Sequence, residues 1–266
     1  VATDEVDLAS GDYGQKHLAV VPFLLLVVAY LAFIQGLGIL LAGRADLDDG
    51  RLDTTSQVAW AFLLPLGAAL AFVYGTITAL GWWRVVLHDP KPVQRWVWAV
   101  PATFVVAIVL GIDYGSLADH GIGFTLALLV AAMFVGFGEE GMFRAIGVNT
   151  LRRAGLTEAK VALWSSVIFG AVHLSNALSS GPKAIGQAVA VSFAGYFFYL
   201  IRRVSRSNIL NSVLHGLFDF TILSGTAALA RGDDAYPGTF LPILVYVVCG
   251  ILLLVRRHHI EPAPAS

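Results

Sequence analysis

Apolar residues in this chain come in long runs broken by short polar connections. Eight runs approach the roughly 20 apolar residues that a helix needs to cross the hydrocarbon core of a bilayer: 18–42, 58–80, 96–112, 121–137, 161–178, 184–201, 209–230 and 240–255. The fourth continues as helix to about Leu151, since nothing in between breaks it strongly. Turn formers fill the gaps: Asp46, Asp49 and Gly50 after the first run, Asp89, Pro90, Lys91 and Pro92 after the second, Gly181 and Pro182 after the fifth. No internal repeat and no long linker divides the chain. The pattern predicts an all-α fold, a polytopic transmembrane helical bundle of about eight spans. It divides into a polar tail at 1–17, a single transmembrane domain at 18–255 and a short tail at 256–266, whose last residues, 262–266, read as disordered.

Composition strengthens this. Of 266 residues, 57% are hydrophobic and 13% charged, with a mean hydropathy of +0.75; a soluble domain carries about 25% charged residues. A net charge of −1 gives no field for nucleic acid. The single cysteine, Cys249, excludes an intramolecular disulfide and a multi-cysteine metal site, and reads as a small core residue. Residues 1–16 are polar and acid-rich (Asp4, Glu5, Asp7, Asp12), and the run that follows is too long for a signal-peptide core.

The charges sort by loop. With eight spans, Lys16, Arg84, Lys91, Arg95, Arg152, Arg153, Lys160, Arg202, Arg203, Arg206, Arg256 and Arg257 fall on the side of the termini, against Arg44, Arg51, Lys183 and Arg231 on the other. Asp46, Asp48, Asp49, Asp53, Asp113, Asp119, Asp233 and Asp234 all fall on that second side. The positive-inside rule then makes both termini cytoplasmic in a cell membrane.

Ionisable residues inside the runs are costly and point to function. They concentrate in three places. In the sequence GEEGMFR at 138–144, Glu140 and Arg144 stand four apart on one helical face and can pair. Glu139 points about 100° away, without a local cation, as suits a general base in an apolar cavity; the alternative is an interfacial charge cluster at a helix end. In FGAVH at 169–173, His173 lies far from any charged neighbour in sequence, and a hydrogen-bonded structural role competes with a catalytic one. In HGLFD at 215–219, His215 and Asp219 share a face, with Asn211 one turn earlier. That pair can be a carboxylate orienting an imidazole, two groups facing one cavity, or an interhelical clamp.

Together the three groups resemble the signature of the CAAX-protease and bacteriocin-processing (ABI) family of intramembrane proteases: Glu-Glu-x-x-x-Arg, Phe-x-x-x-His and His-x-x-x-Asn/Asp on separate helices. Here these are Glu139, Glu140 and Arg144; Phe169 and His173; His215 and Asp219, within a core at about 121–230. The resemblance implies an endopeptidase in which Glu139 and His173 activate a water, His215 and Asp219 stabilise the oxyanion, and Arg144 fixes Glu140. An ionised Asp219 cannot donate a hydrogen bond as asparagine can, so Asp219 either is protonated or acts by orienting His215. No cofactor is favoured. Zinc is the alternative, with Glu139, His173 and His215 as the three ligands, but no His-Glu-x-x-His helix is present. The partners implied are a peptide or membrane-protein substrate and the lipid bilayer. Competing readings are a non-catalytic scaffold and a proton-coupled transporter; the transporter lacks matched half-repeats.

Overall fold

The computed structural model describes residues 16–47, 51–91, 93–177, 181–226 and 235–261. The expected polar tail before Lys16, the loop residues Asp48, Asp49, Arg231, Asp233 and Asp234, and the tail 262–266 lie outside the described residues. Among the described residues all regular structure is helical. The main helices are α1 (Val20–Ala45), α2 (Thr55–Leu80), α3 (Arg95–Gly111), α4 (Tyr114–Arg153), α5 (Glu158–Val172), α6 (Lys183–Ser205), α7 (Asn208–Gly225) and α8 (Pro237–Val255).

The fold is the all-α bundle that the apolar runs predict, and each run is helical over most of its length. Five helices, α1, α2, α4, α6 and α8, are long and apolar enough to cross a membrane by length and composition. The other three differ for visible reasons. Helix α3 is apolar but short. Helices α5 and α7 carry polar residues, among them Ser165, Ser166, Asn208, Asn211, Ser212 and His215, all of them buried. Helix α5 also stops at Val172, earlier than expected, and tightens into a 3-10 turn at His173–Asn176. That turn is held by the Gln35 side-chain amide, which donates to Ser175 Oγ at 3.3 Å.

Small residues let the inner helices approach closely, as within a membrane they must where apolar burial gives little drive for association. Helix α4 meets α7 at Gly136, where a Cβ would run into the Ser212 carbonyl and the Gly216 amide. Helix α5 meets α6 at Gly195, where a Cβ would stand 2.8 Å from Ser166 Cα. These two contacts bring the three polar groups of the sequence to the middle of the bundle.

One end of the bundle is tied by ions. Asp89, in the loop after α2, is fully buried; its Oδ2 lies 3.0 Å from Arg152 Nη1 and 3.1 Å from Arg202 Nε. Glu158 accepts from Arg152 Nε at 3.1 Å and from the Tyr199 hydroxyl. Arg203 donates to both carboxylate oxygens of Glu261, at 2.6 and 2.8 Å. Burial acts to raise the Asp89 carboxyl, but Arg202 and Arg152 outweigh it and hold it below the ordinary range. At Glu158 burial is likewise overcome by the hydrogen bond and charge of Arg152, which bring it down to about 2. Arg202 and Arg203 are buried here, not loose loop charges as their place in the sequence suggests.

Candidate active site

Helix α4 is regular to Glu139 and widens into a π-helical segment over Glu140–Gly147. Such segments gather at functional sites. The two adjacent carboxylates, turned apart around the helix, nevertheless reach one residue, on opposite edges of the same imidazole. His215 Nδ1 lies 2.8 Å from Glu140 Oε1, and its Nε2 lies 3.6 Å from Glu139 Oε2. The same Nε2 is 3.5 Å from Asp219 Oδ2, one turn along α7. A proton on either nitrogen therefore has a carboxylate to face.

Glu140 is the hub of this cluster and not only a partner for Arg144. Besides His215 it accepts from the Asn211 amide at Oε2, and Arg144 Nη1 stands 3.2 Å from its Oε1. Glu140 and Arg144 are both fully buried. Arg144 spends its Nη2 on the Gly195 carbonyl of α6 at 2.9 Å, and its guanidinium lies 4.0 Å over the Phe169 ring. The Asn208 amide donates to the Glu140 backbone carbonyl at 3.2 Å. A buried charge pair needs this kind of satisfaction to be tolerated.

Phe169 explains the aromatic position of the second motif. Its ring meets Arg144 on its face and the two histidines edge-on, with centroids 5.2 Å from His173 and 5.9 Å from His215. His215 is stacked at 4.3 Å on Phe198, which fixes the plane of the imidazole. His173 Nδ1 lies 2.9 Å from the Phe169 carbonyl. A carbonyl only accepts, so Nδ1 carries the hydrogen in that contact and neutral His173 keeps its lone pair on Nε2.

The structure thus gathers Glu139, Glu140, Arg144, His215 and Asp219 by direct contact, and joins His173 to them through Phe169. No hydrogen bond or ion pair links His173 to Glu139 among the described residues. Asn211 was legible from its spacing; Phe198, Gly195 and Asn208 were not. Phe198 and Gly195 lie in a run whose composition singles out no position, and Asn208 reads as a helix start.

The zinc alternative needs Glu139, His173 and His215 around one point. Among the described residues no group of three or more His, Cys, Asp or Glu side chains is so placed. Both nitrogens of His215 are already turned to carboxylates, and Nδ1 of His173 to a carbonyl. The donor set does not fit a three-ligand centre.

Residues 121–221 match the family model described as type II CAAX prenyl endopeptidase Rce1-like, a segment that holds all three motifs. No curated protein and no solved structure matches the chain.

Proposed function

From the match of residues 121–221 to that family model, we propose that the chain belongs to the CAAX-protease family and is an intramembrane endopeptidase that hydrolyses peptide bonds of membrane-associated substrates through a water activated by Glu139 and His173. Several apolar helices and the family together make it a multi-pass membrane protein. Both termini face the cytoplasm in this reading, following the basic loops.

The observation that carries the proposal is the seat of His215. Its two edges engage Glu140 on one side and Glu139 with Asp219 on the other. Glu139 has only that long 3.6 Å ion-pair contact among the described residues, so its carboxylate is free to take a proton. His173 offers Nε2 as a second acceptor for the same water. The water oxygen attacks the peptide carbonyl carbon as its proton passes to Glu139. The carbonyl oxygen becomes an oxyanion facing His215, whose plane is held by Phe198 and whose Nδ1 is held by Glu140. Glu139 then returns the proton to the amide nitrogen as the C–N bond breaks. Asp219 acts here by orienting His215, since a carboxylate does not donate. No step needs a metal ion.

The test is cleavage of quenched fluorescent peptides, with and without a farnesylated C-terminal cysteine, by purified protein in detergent. Glu139→Gln and His173→Ala are each expected to lower kcat/KM by about 10²–10⁴-fold, the usual worth of a general base, while still accumulating in the membrane. A chelator is expected to leave the wild-type rate unchanged. Either variant at the wild-type rate removes that residue from the mechanism. A wild-type protein that cleaves none of the peptides moves the reading to a non-catalytic scaffold.

A further inference from the structure

Helix α1 lies outside the matched segment and is exposed over most of its length; its buried residues are Phe23, Val27, Tyr30 and Ala45. The first three are spaced four and three apart and so form one seam. That seam runs along the π-helical segment of α4. A Cβ on Gly147 would stand 2.8 Å from the tip of the Phe23 ring, and a Cβ on Gly138 would stand 2.9 Å from the Tyr30 hydroxyl. Tyr30 itself is 2% exposed and packs edge-on to Phe143, with centroids 6.3 Å apart. Its hydroxyl is thereby set against the residue preceding Glu139, within electrostatic reach of Glu139, Asp219 and Glu140.

The donors of the site are nearly all committed. Arg144 is engaged by Glu140 and the Gly195 carbonyl through its two Nη atoms, which leaves its buried Nε without a hydrogen bond, Asn211 is engaged by Glu140, and His215 Nδ1 by Glu140. Asp219 and Glu139 are acceptors when ionised. A developing oxyanion beside three carboxylates needs more than the single N–H that His215 Nε2 can turn to it, and a phenol donates strongly without bringing a charge.

We propose that Tyr30 is a catalytic residue of this site, its phenol O–H donating a hydrogen bond to the oxyanion of the tetrahedral intermediate in the role that a carboxylate at position 219 cannot fill. The phenol keeps its proton throughout; the bonds made and broken are those of the hydrolysis above. Gly138 is what admits the hydroxyl to that position. The inference rests on the proposed peptidase activity, and the peptide assay separates the two.

With the peptide that wild type cleaves, Tyr30→Phe is expected to lower kcat by about 10²-fold, the cost of one oxyanion donor, with KM within about twofold. The phenylalanine ring preserves the Phe143 contact, so folded yield is retained. Adding Asp219→Asn to Tyr30→Phe supplies an amide donor and is expected to recover about tenfold of the loss. Unchanged kcat in Tyr30→Phe, while Glu139→Gln is inactive, overturns this inference and leaves the peptidase reading standing. So does a change confined to KM, which would make Tyr30 a packing residue, and so does a kcat loss that Asp219→Asn fails to recover. A wild-type protein without activity on any peptide overturns both.

Discussion

Arg144 carries no chemistry in the proposed reaction, yet the site is built on it. It is fully buried, neutralises Glu140 and reaches the Gly195 carbonyl at 2.9 Å. Removing one partner of a buried ion pair leaves an uncompensated charge, at a cost of about 3–5 kcal/mol. Arg144→Ala is therefore expected to lower the melting temperature and folded yield of detergent-purified protein. Arg144→Lys should recover little, because an ammonium does not reproduce the planar fork that serves both acceptors. A normal melting temperature with lost activity would instead put Arg144 in the chemistry. At this scale the spacing of Glu140 and Arg144 revealed their pairing, and the three motifs named the residues that meet. What spacing could not reveal was which carboxylate lies at the centre. That depends on the π-helical segment and on Asn211 and His215 arriving from α7, and neither is encoded in the local pattern. Tyr30 was hidden for a similar reason, being one polar tip in an otherwise apolar run.

Among the elements, the helices followed from the apolar runs, whereas their ends did not. The fifth run stays apolar enough past Val172 to be read as helix, but the contact of His173 with the Phe169 carbonyl and of Gln35 with Ser175 turns the chain there. The ionic tie between the loop after α2 and helices α4, α5 and α6 was likewise invisible, because its partners are far apart in sequence. It has a pH signature. The folded pKa of Glu158, about 2, lies below its ordinary 4.5. Its stabilising contribution is therefore complete above pH 4.5 and is lost as pH falls towards 2. The melting temperature of purified protein should fall through that window, and Glu158→Gln should make the fall shallower. A variant whose profile overlays the wild type would show that Glu158 contributes nothing to it.

On the scale of the whole molecule, several of the basic residues that the sequence assigned to one side meet across the fold: Arg152 and Arg202 at Asp89, Lys91 at Glu158, Arg203 at Glu261, and Lys16 with Arg153 at the Trp82 indole. The sequence could sort these charges because loop composition is set by the two faces of the membrane. It could not say how many helices cross, because crossing depends on depth as well as apolarity. The proposed orientation predicts that reporters fused to either terminus become active only in the cytoplasm; activity on opposite sides would rule out an even number of spans. The two ends of the bundle are held very differently. At the basic end Asp89 and Arg202 are sealed in, with no side-chain exposure, whereas the His120–Asp53 pair spans 3.7 Å with Asp53 65% exposed. Added salt should therefore screen the open Asp53–His120 contact while leaving the sealed Asp89–Arg202 pair nearly untouched.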